Sequence, residues 1–219
     1  MPEPASLRLP LLLAGRVLFP CTELRLPLGE ALFQDLLLTP RDERFLGVLL
    51  ALPGGPRSGG GIYPAGTVSR VLALETEGDT SYARLRGDRR FELLAPPEAV
   101  PYPQAQVRLL PEQPLDESAP LVRALRQKLA EKLDAARHAL GSALPLDGEE
   151  LRRLSRAPLE ELVNRAAVAL EVSELRQLEL LALPLAERAL EITGILRSRI
   201  KLVQLLRPYR HLAAAAEEN

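Results

Sequence analysis

The sequence predicts an α+β protein: an antiparallel β-sheet or partly closed barrel with one short helix, residues 1–113, followed by a helical bundle, residues 114–219. Three observations predict it. Up to residue 111, Gly and Pro break the chain into short apolar segments, as in a sheet of short strands. The Pro-rich, acidic stretch PEQPLDESAP at 111–120 marks a boundary. Beyond it, apolar residues recur every three or four positions, the period of an amphipathic helix.

The elements follow in order. Strands are expected near 5–13, 22–27, 44–52, 62–75, 80–86, 88–95 and 103–110. Ser81 to Arg86 alternates small or apolar with polar side chains, as a half-buried strand does. Glu77-Gly78-Asp79 and Gly87-Asp88 read as hairpin turns, because Gly and Asp tolerate positive φ. Leu32, Phe33, Leu36 and Leu37 have helical spacing, which predicts one short helix among the strands. Val122, Leu125, Leu129, Leu133, Ala136 and Leu140 mark one face of a longer helix, with Ser118 as the expected N-cap and Pro120 in its first turn. Asp147 and Glu150 have the spacing of a capping box. Pro158 opens a helix through Leu159, Leu162, Ala166 and Leu170, and Ser173 caps a short one. Pro184 opens a long one along Leu185, Ala189, Ile192, Leu196, Ile200 and Val203.

Composition narrows the function classes. The net charge is −1, and residues 1–114 hold 12 basic and 13 acidic groups, which argues against a general nucleic-acid or membrane-surface binder. The single cysteine, Cys21, allows no intrachain disulfide and no Cys-based metal site, and it fits a reducing cytoplasm. The N-terminal apolar run Leu9–Leu13 is short and contains Pro10, so no secretory signal is read there. No stretch approaches the roughly 20 apolar residues of a membrane-spanning helix.

Chemistry-bearing motifs are weak. GGPRSGGG at 54–61 lacks the Lys and hydroxyl that a phosphate-binding loop places after its glycines, so it reads as a flexible hairpin loop. The three lysines, Lys128, Lys132 and Lys201, fall on helical faces that read as solvated. His138 and His211 lie outside any metal-ligand spacing, and His138 follows Asp134 by one helical turn, which predicts surface pairing. Arg86-Gly87-Asp88 reads as a turn and not as an adhesive tripeptide. Cys21 reads as a small, partly buried residue. The basic run from Ile195 to Leu212 complements the negative end of a helix dipole.

Five blocks in order carry a resemblance: LRLPLLLAGRVLFPCTELRLPL at 7–28, RFLGVLLALP at 44–53, GIYPAGTVSRVLAL at 61–74, ARLRGDRRFELL at 83–94 and PYPQAQVRLLP at 101–111. They resemble the N-terminal, substrate-binding domain of Lon proteases. The helical segment from Pro158 to Ile200 is similar to the helices that follow that domain, so the likeness spans roughly residues 6 to 206. It implies a PUA-like β-barrel followed by a helical bundle, and recognition of proteins in place of chemistry. One departure is Cys21, where the family usually carries Gly after the Phe-Pro step; a Gly there would permit positive φ.

No sequence here resembles the ATPase module or the Ser-Lys peptidase of a Lon protease, so the expectation is a stand-alone, cytoplasmic, non-enzymatic module without cofactor or metal. Its expected partner is a protein or peptide client, or a separate protease or chaperone, to which it hands clients or with which it competes. The expected binding residues are Leu12, Leu13, Phe19, Phe33 and Tyr63, at an apolar groove between the two halves or along an open sheet edge. The other class that the PUA-like fold permits is an RNA-binding module, which the balanced charge disfavours.

Overall fold

The computed structural model describes residues 6–52, 61–111 and 115–207; the Gly-rich stretch 54–60 and His211 lie outside them. The first part holds β1 (Ser6–Ala14), β2 (Glu23–Leu28), α1 (Glu30–Leu38), β3 (Phe45–Leu52), β4 (Gly61–Glu77), β5 (Thr80–Leu93) and β6 (Gln104–Leu109). Five helices follow: α2 (Pro120–Leu140), α3 (Gly148–Leu154), α4 (Leu159–Ala169), α5 (Glu174–Ala182) and α6 (Leu185–Leu206). The chain divides into two units, Met1–Gln113 with Val172–Leu183 and Pro114–Glu171 with Pro184–Asn219. The short helix α5 therefore groups with the sheet.

The strands run in the order β2-β5-β4-β3-β1-β6, and β6 pairs again with β5. That last pairing closes β5, β4, β3, β1 and β6 into a barrel and leaves β2 outside it, on one edge of β5. The sheet is mixed and not wholly antiparallel as expected, because β1 and β3 pair in parallel from Leu11↔Gly47 to Ala14↔Leu50. The link from β1 to β3 passes through β2 and α1, long enough for the crossover that parallel neighbours require. Inward side chains form two apolar clusters. One holds Leu26, Leu28, Leu46, Val71 and Leu85 with Leu32 and Leu36 of α1. The other holds Leu9, Leu11, Leu49, Val68, Phe91 and Val107.

Strand β5 corrects two sequence readings. Its 14 residues run unbroken through the expected turn at Gly87-Asp88, so Arg86-Gly87-Asp88 lies inside a strand. Gly87 is needed for closeness and not for a turn. A Cβ placed there would stand 2.2 Å from the Phe19 carbonyl oxygen. Across this contact the Cys21 N–H donates to the Gly87 carbonyl (2.9 Å), and the Gly87 N–H donates to the Thr22 carbonyl (2.9 Å). The residues after β1 thus fill the edge of β5 between its pairing with β2, which ends at Arg86, and its pairing with β6, which begins at Phe91. The true hairpin turn is Gly78-Asp79, with Gly78 at φ 56°. Cys21 takes φ 62°, so the left-handed turn is kept without glycine.

The second unit follows its amphipathic pattern. Val122, Leu129, Leu133 and Ala136 of α2 are buried, as are Leu162 and Ala166 of α4 and Ala189, Ile192 and Leu196 of α6. Asp147 caps α3, its Oδ1 accepting from the N–H groups of Glu149 (2.8 Å) and Glu150 (2.7 Å). Ser173 caps α5 by accepting from the Arg176 N–H. Ser118 does not cap α2; Ala119 occupies that position, while the Ser118 hydroxyl and N–H both donate to Asp116. Pro120 in the first turn needs no acceptor, so the helix starts without a side-chain cap.

Two substitutions test the crossing. Gly87→Ala is expected to destabilise the protein by about 2–3 kcal/mol, since backbone and not a flexible side chain stands in the way. Cys21→Gly is expected to stabilise it by about 0.5–1 kcal/mol, the relief of left-handed strain less glycine's extra unfolded entropy. Urea midpoints at constant m-value read both.

Candidate protein-binding groove

The pairing of β1 changes partway along its length. Its pairing with β6 covers Ser6 to Pro10 and stops. Its pairing with β3 continues to Ala14. The Leu11 N–H is taken by the Pro103 carbonyl at 2.7 Å. Among the described residues, the Leu12–Ala14 backbone is therefore laddered on one side only. An open edge of this kind offers spare main-chain donors and acceptors.

That edge borders a cleft of about 380 Å³, walled by Leu11, Leu12 and Leu13, by the start of α1 at Gly29–Leu32, and by the loop residues Ala99 and Pro101–Pro103. Farther along the same strand and helix lies a second cleft of about 470 Å³. Leu7, Leu9, Leu36, Phe45 and Leu109 line its apolar part, and Arg8, Asp35, Glu43, Asp88 and Arg89 its polar part. The two clefts follow one another along β1 and α1. Leu38, at the end of α1, is 86% exposed, an apolar side chain left in water.

Tyr102 and Asp35 fix the loop to the helix. The Tyr102 hydroxyl donates to Asp35 Oδ2 at 2.6 Å. Burial, then the hydrogen bond to Asp35 and its charge, push the Tyr102 phenol up to about 12, so it stays protonated and keeps donating. The loop is closed on itself by paired hydrogen bonds between Glu98 and Gln104, 2.8 and 2.9 Å, and its base is held by the Arg8–Glu98 ion pair at 2.7 Å.

Of the expected binding residues, Leu12 and Leu13 stand together in the first cleft. Leu13 is 38% exposed, and Leu12 is half-buried against the core. Phe33 is half-buried on α1 and packs against the same cluster. Tyr63 is half-buried on β4 and does not line either cleft. Phe19 is 0% exposed, so it cannot meet a partner; the close approach to Gly87 carries it into the interior. Tyr102 and its flanking prolines were not singled out from sequence. Their signal was the Pro101-Tyr102-Pro103 run, which entered only as the start of one block of the family resemblance.

His138 is exposed and lies 3.7 Å from Asp134, the surface pairing expected of it. Among the described residues no cluster of His, Cys, Asp and Glu is arranged to hold a metal ion, and no helix is long and apolar enough to cross a membrane.

The Tyr102 bond gives a pH-dependent expectation. The phenol's folded value lies above its unfolded one, so its contribution is present below pH 10 and is lost as pH rises from 10 to about 12. Tyr102→Phe has no such titration. The stability advantage of the native protein over Tyr102→Phe should therefore shrink across that window, read from urea unfolding at stepped pH.

Comparison with known proteins bears on the fold and the family. The chain is similar to the Lon N-terminal domain protein from Xanthomonas campestris, with 26% identity, TM-score 0.60, and 84% of this chain and 95% of that one covered. It shares its fold with the N-terminal domain of Mycobacterium avium complex Lon protease, at 17% identity and TM-score 0.62, with 87% and 98% covered. No curated protein matches it. The family model of the ATP-dependent protease La (LON) substrate-binding domain matches residues 8–198, most of the length, and the chain belongs to that family.

Proposed function

We propose that the groove along β1 and α1 binds extended apolar segments of protein substrates by contact and strand pairing, with no chemistry performed by this chain. The observation that carries the reading is the one-sided pairing of Leu12–Ala14 beside an apolar cleft. A segment laid along that edge would gain main-chain hydrogen bonds that demand little of its sequence. Its apolar side chains would enter the clefts, where Leu13 and the prolines of the loop remove them from water. Family membership supports substrate recognition as the general role. The single cysteine agrees with a reducing setting, and we assign the binding to the cytoplasm, with the client then passed to a separate protease or chaperone.

The other edge is less suited to strand addition. The outer strand β2 carries Pro27, which has no N–H to donate, and the exposed charges Glu23 and Arg25. Proline and charge are common means of blunting an edge.

Titration with a fluorescent, permanently unfolded model protein tests the proposal. Binding in the micromolar range is expected, with the Leu13 amide slowed in hydrogen exchange when it is bound, since the Leu13 N–H points to the same side as that of Leu11 while those of Leu12 and Ala14 face β3. Leu13→Asp should weaken binding about tenfold, since a carboxylate would enter an apolar contact, while leaving the melting temperature little changed. Undiminished binding by Leu13→Asp, or no protection at that edge, would sink the groove assignment.

A further inference from the structure

The outward face of β4 and β5 bears a charge arrangement that does not serve the fold. Arg84 and Arg86 alternate with buried Ala83, Leu85 and Gly87 and are exposed. Arg70 on β4 is exposed too, and it stands directly opposite Arg86 in the register. Like charges directly opposite on neighbouring strands oppose each other and lower stability. Among the described residues, Arg70, Arg84 and Arg86 form no ion pair. Glu23 is opposite Arg86 on β2 and likewise forms none.

The border of this face is built differently. Arg25, opposite Arg84, is paired with Glu75 (3.0 Å) and Glu77 (2.7 Å) and lies over the Tyr82 ring at 3.7 Å. Arg70 lies over the Phe45 ring at 5.5 Å. Three cations thus sit between a neutralised edge and an aromatic one.

We propose that this face docks an acidic, extended segment of a partner protein. It is a surface separate from the groove and stands whether or not the groove binds substrate. Charge complementarity selects the occupant. Guanidinium groups match carboxylates with two parallel hydrogen bonds. Arg84 and Arg86 are two residues apart on one strand, a repeat of roughly 7 Å, which equals the spacing of alternate side chains in an extended peptide. An acidic residue at every second position would meet both, and relief of the Arg70–Arg86 repulsion adds to the gain. A nucleic-acid strand fits less well, because Glu23, Glu75 and Glu77 border the patch and interrupt a longer cationic path.

Fluorescence anisotropy with a labelled alternating Glu-Ser octapeptide, its Gln-Ser counterpart and a decauridylate RNA tests this. The acidic peptide should bind and the Gln peptide should not. Affinity should fall about tenfold in R70Q/R84Q/R86Q, three charge pairs being lost, and fall again between about 50 and 300 mM salt. K128A/K201A, which removes two cations of the helical unit, should bind within about twofold of the native protein if the attraction is local. The triple variant should melt close to the native protein, because relief of the Arg70–Arg86 repulsion offsets the lost Arg70–Phe45 contact. Absence of acidic-peptide binding, or binding that the triple variant retains, overturns the proposal. Tighter capture of the RNA by the same three arginines overturns it in favour of a nucleic-acid partner.

Discussion

The β unit depends on how closely one strand's backbone can approach another at Gly87. The barrel has to close through β5 and β6, yet β2 already occupies part of the same edge of β5. The segment Phe19–Thr22 fills the interval, and it does so with its carbonyl groups pressed on a residue that has no Cβ. Buried hydroxyls complete the hydrogen bonding nearby: Thr22 donates to the Phe19 carbonyl at 2.8 Å, and Thr67 donates to that of Leu18 at 2.6 Å. A buried carbonyl without such a partner would cost about 1–3 kcal/mol. The crossing also dictates what Phe19 is for. Its ring is drawn into the interior, so a conspicuous aromatic beside a proline becomes core and not a docking residue.

This explains what was legible in the sequence and what was not. Local periodicity located α1, the helices and the strands, except that it divided β5 into two, 80–86 and 88–95; alternation and the three-to-four repeat are consequences of which face is buried. Turn chemistry misled at Gly87-Asp88. Glycine signals either positive φ or close approach, and only tertiary structure decides which. Gly78 illustrates the first, Gly87 the second. The parallel pairing of β1 with β3 was hidden for a related reason: strand direction is a property of pairing partners, and no residue in either strand encodes it. In the groove, Leu12 and Leu13 were legible as surplus apolar residues. Tyr102 was not, since its role arises from a partner 67 positions away, Asp35.

Helix α5 shows a second long-range constraint of the same unit. Arg90 of β5 is 5% exposed, and its Nη1 donates to the carbonyls of Leu181 (2.8 Å), Ala182 (3.1 Å) and Leu183 (2.8 Å) at the end of that helix. These are among the carbonyls a helix leaves without an internal partner, and they carry the negative end of its dipole. A buried guanidinium is tolerated there because the helix end supplies acceptors and compensating potential together. One cation on the barrel therefore fixes a segment that arrives about ninety residues later in the chain. The adjacent residue, Arg89, is exposed and lines the larger cleft, so neighbouring arginines on one strand serve opposite purposes according to the face they occupy.

The barrel's size sets the form its recognition takes. Its interior is filled by Leu, Val and Phe side chains, so a ligand has to be met on the outside. What the outside offers is a strand edge, shallow apolar clefts and, on another face, unpaired arginines. Dispersion and burial in such clefts are non-directional, and main-chain pairing is indifferent to side-chain identity; both select for an extended, accessible segment and not for a particular sequence. Folded proteins rarely present such segments, because their apolar side chains and backbone groups are already engaged. On the proposed reading, a shallow groove with an open edge would thus discriminate by the state of the partner chain. Sharper discrimination would require charge, and on the proposed reading the Arg70–Arg86 row would supply it, an acidic segment relieving the repulsion between the two.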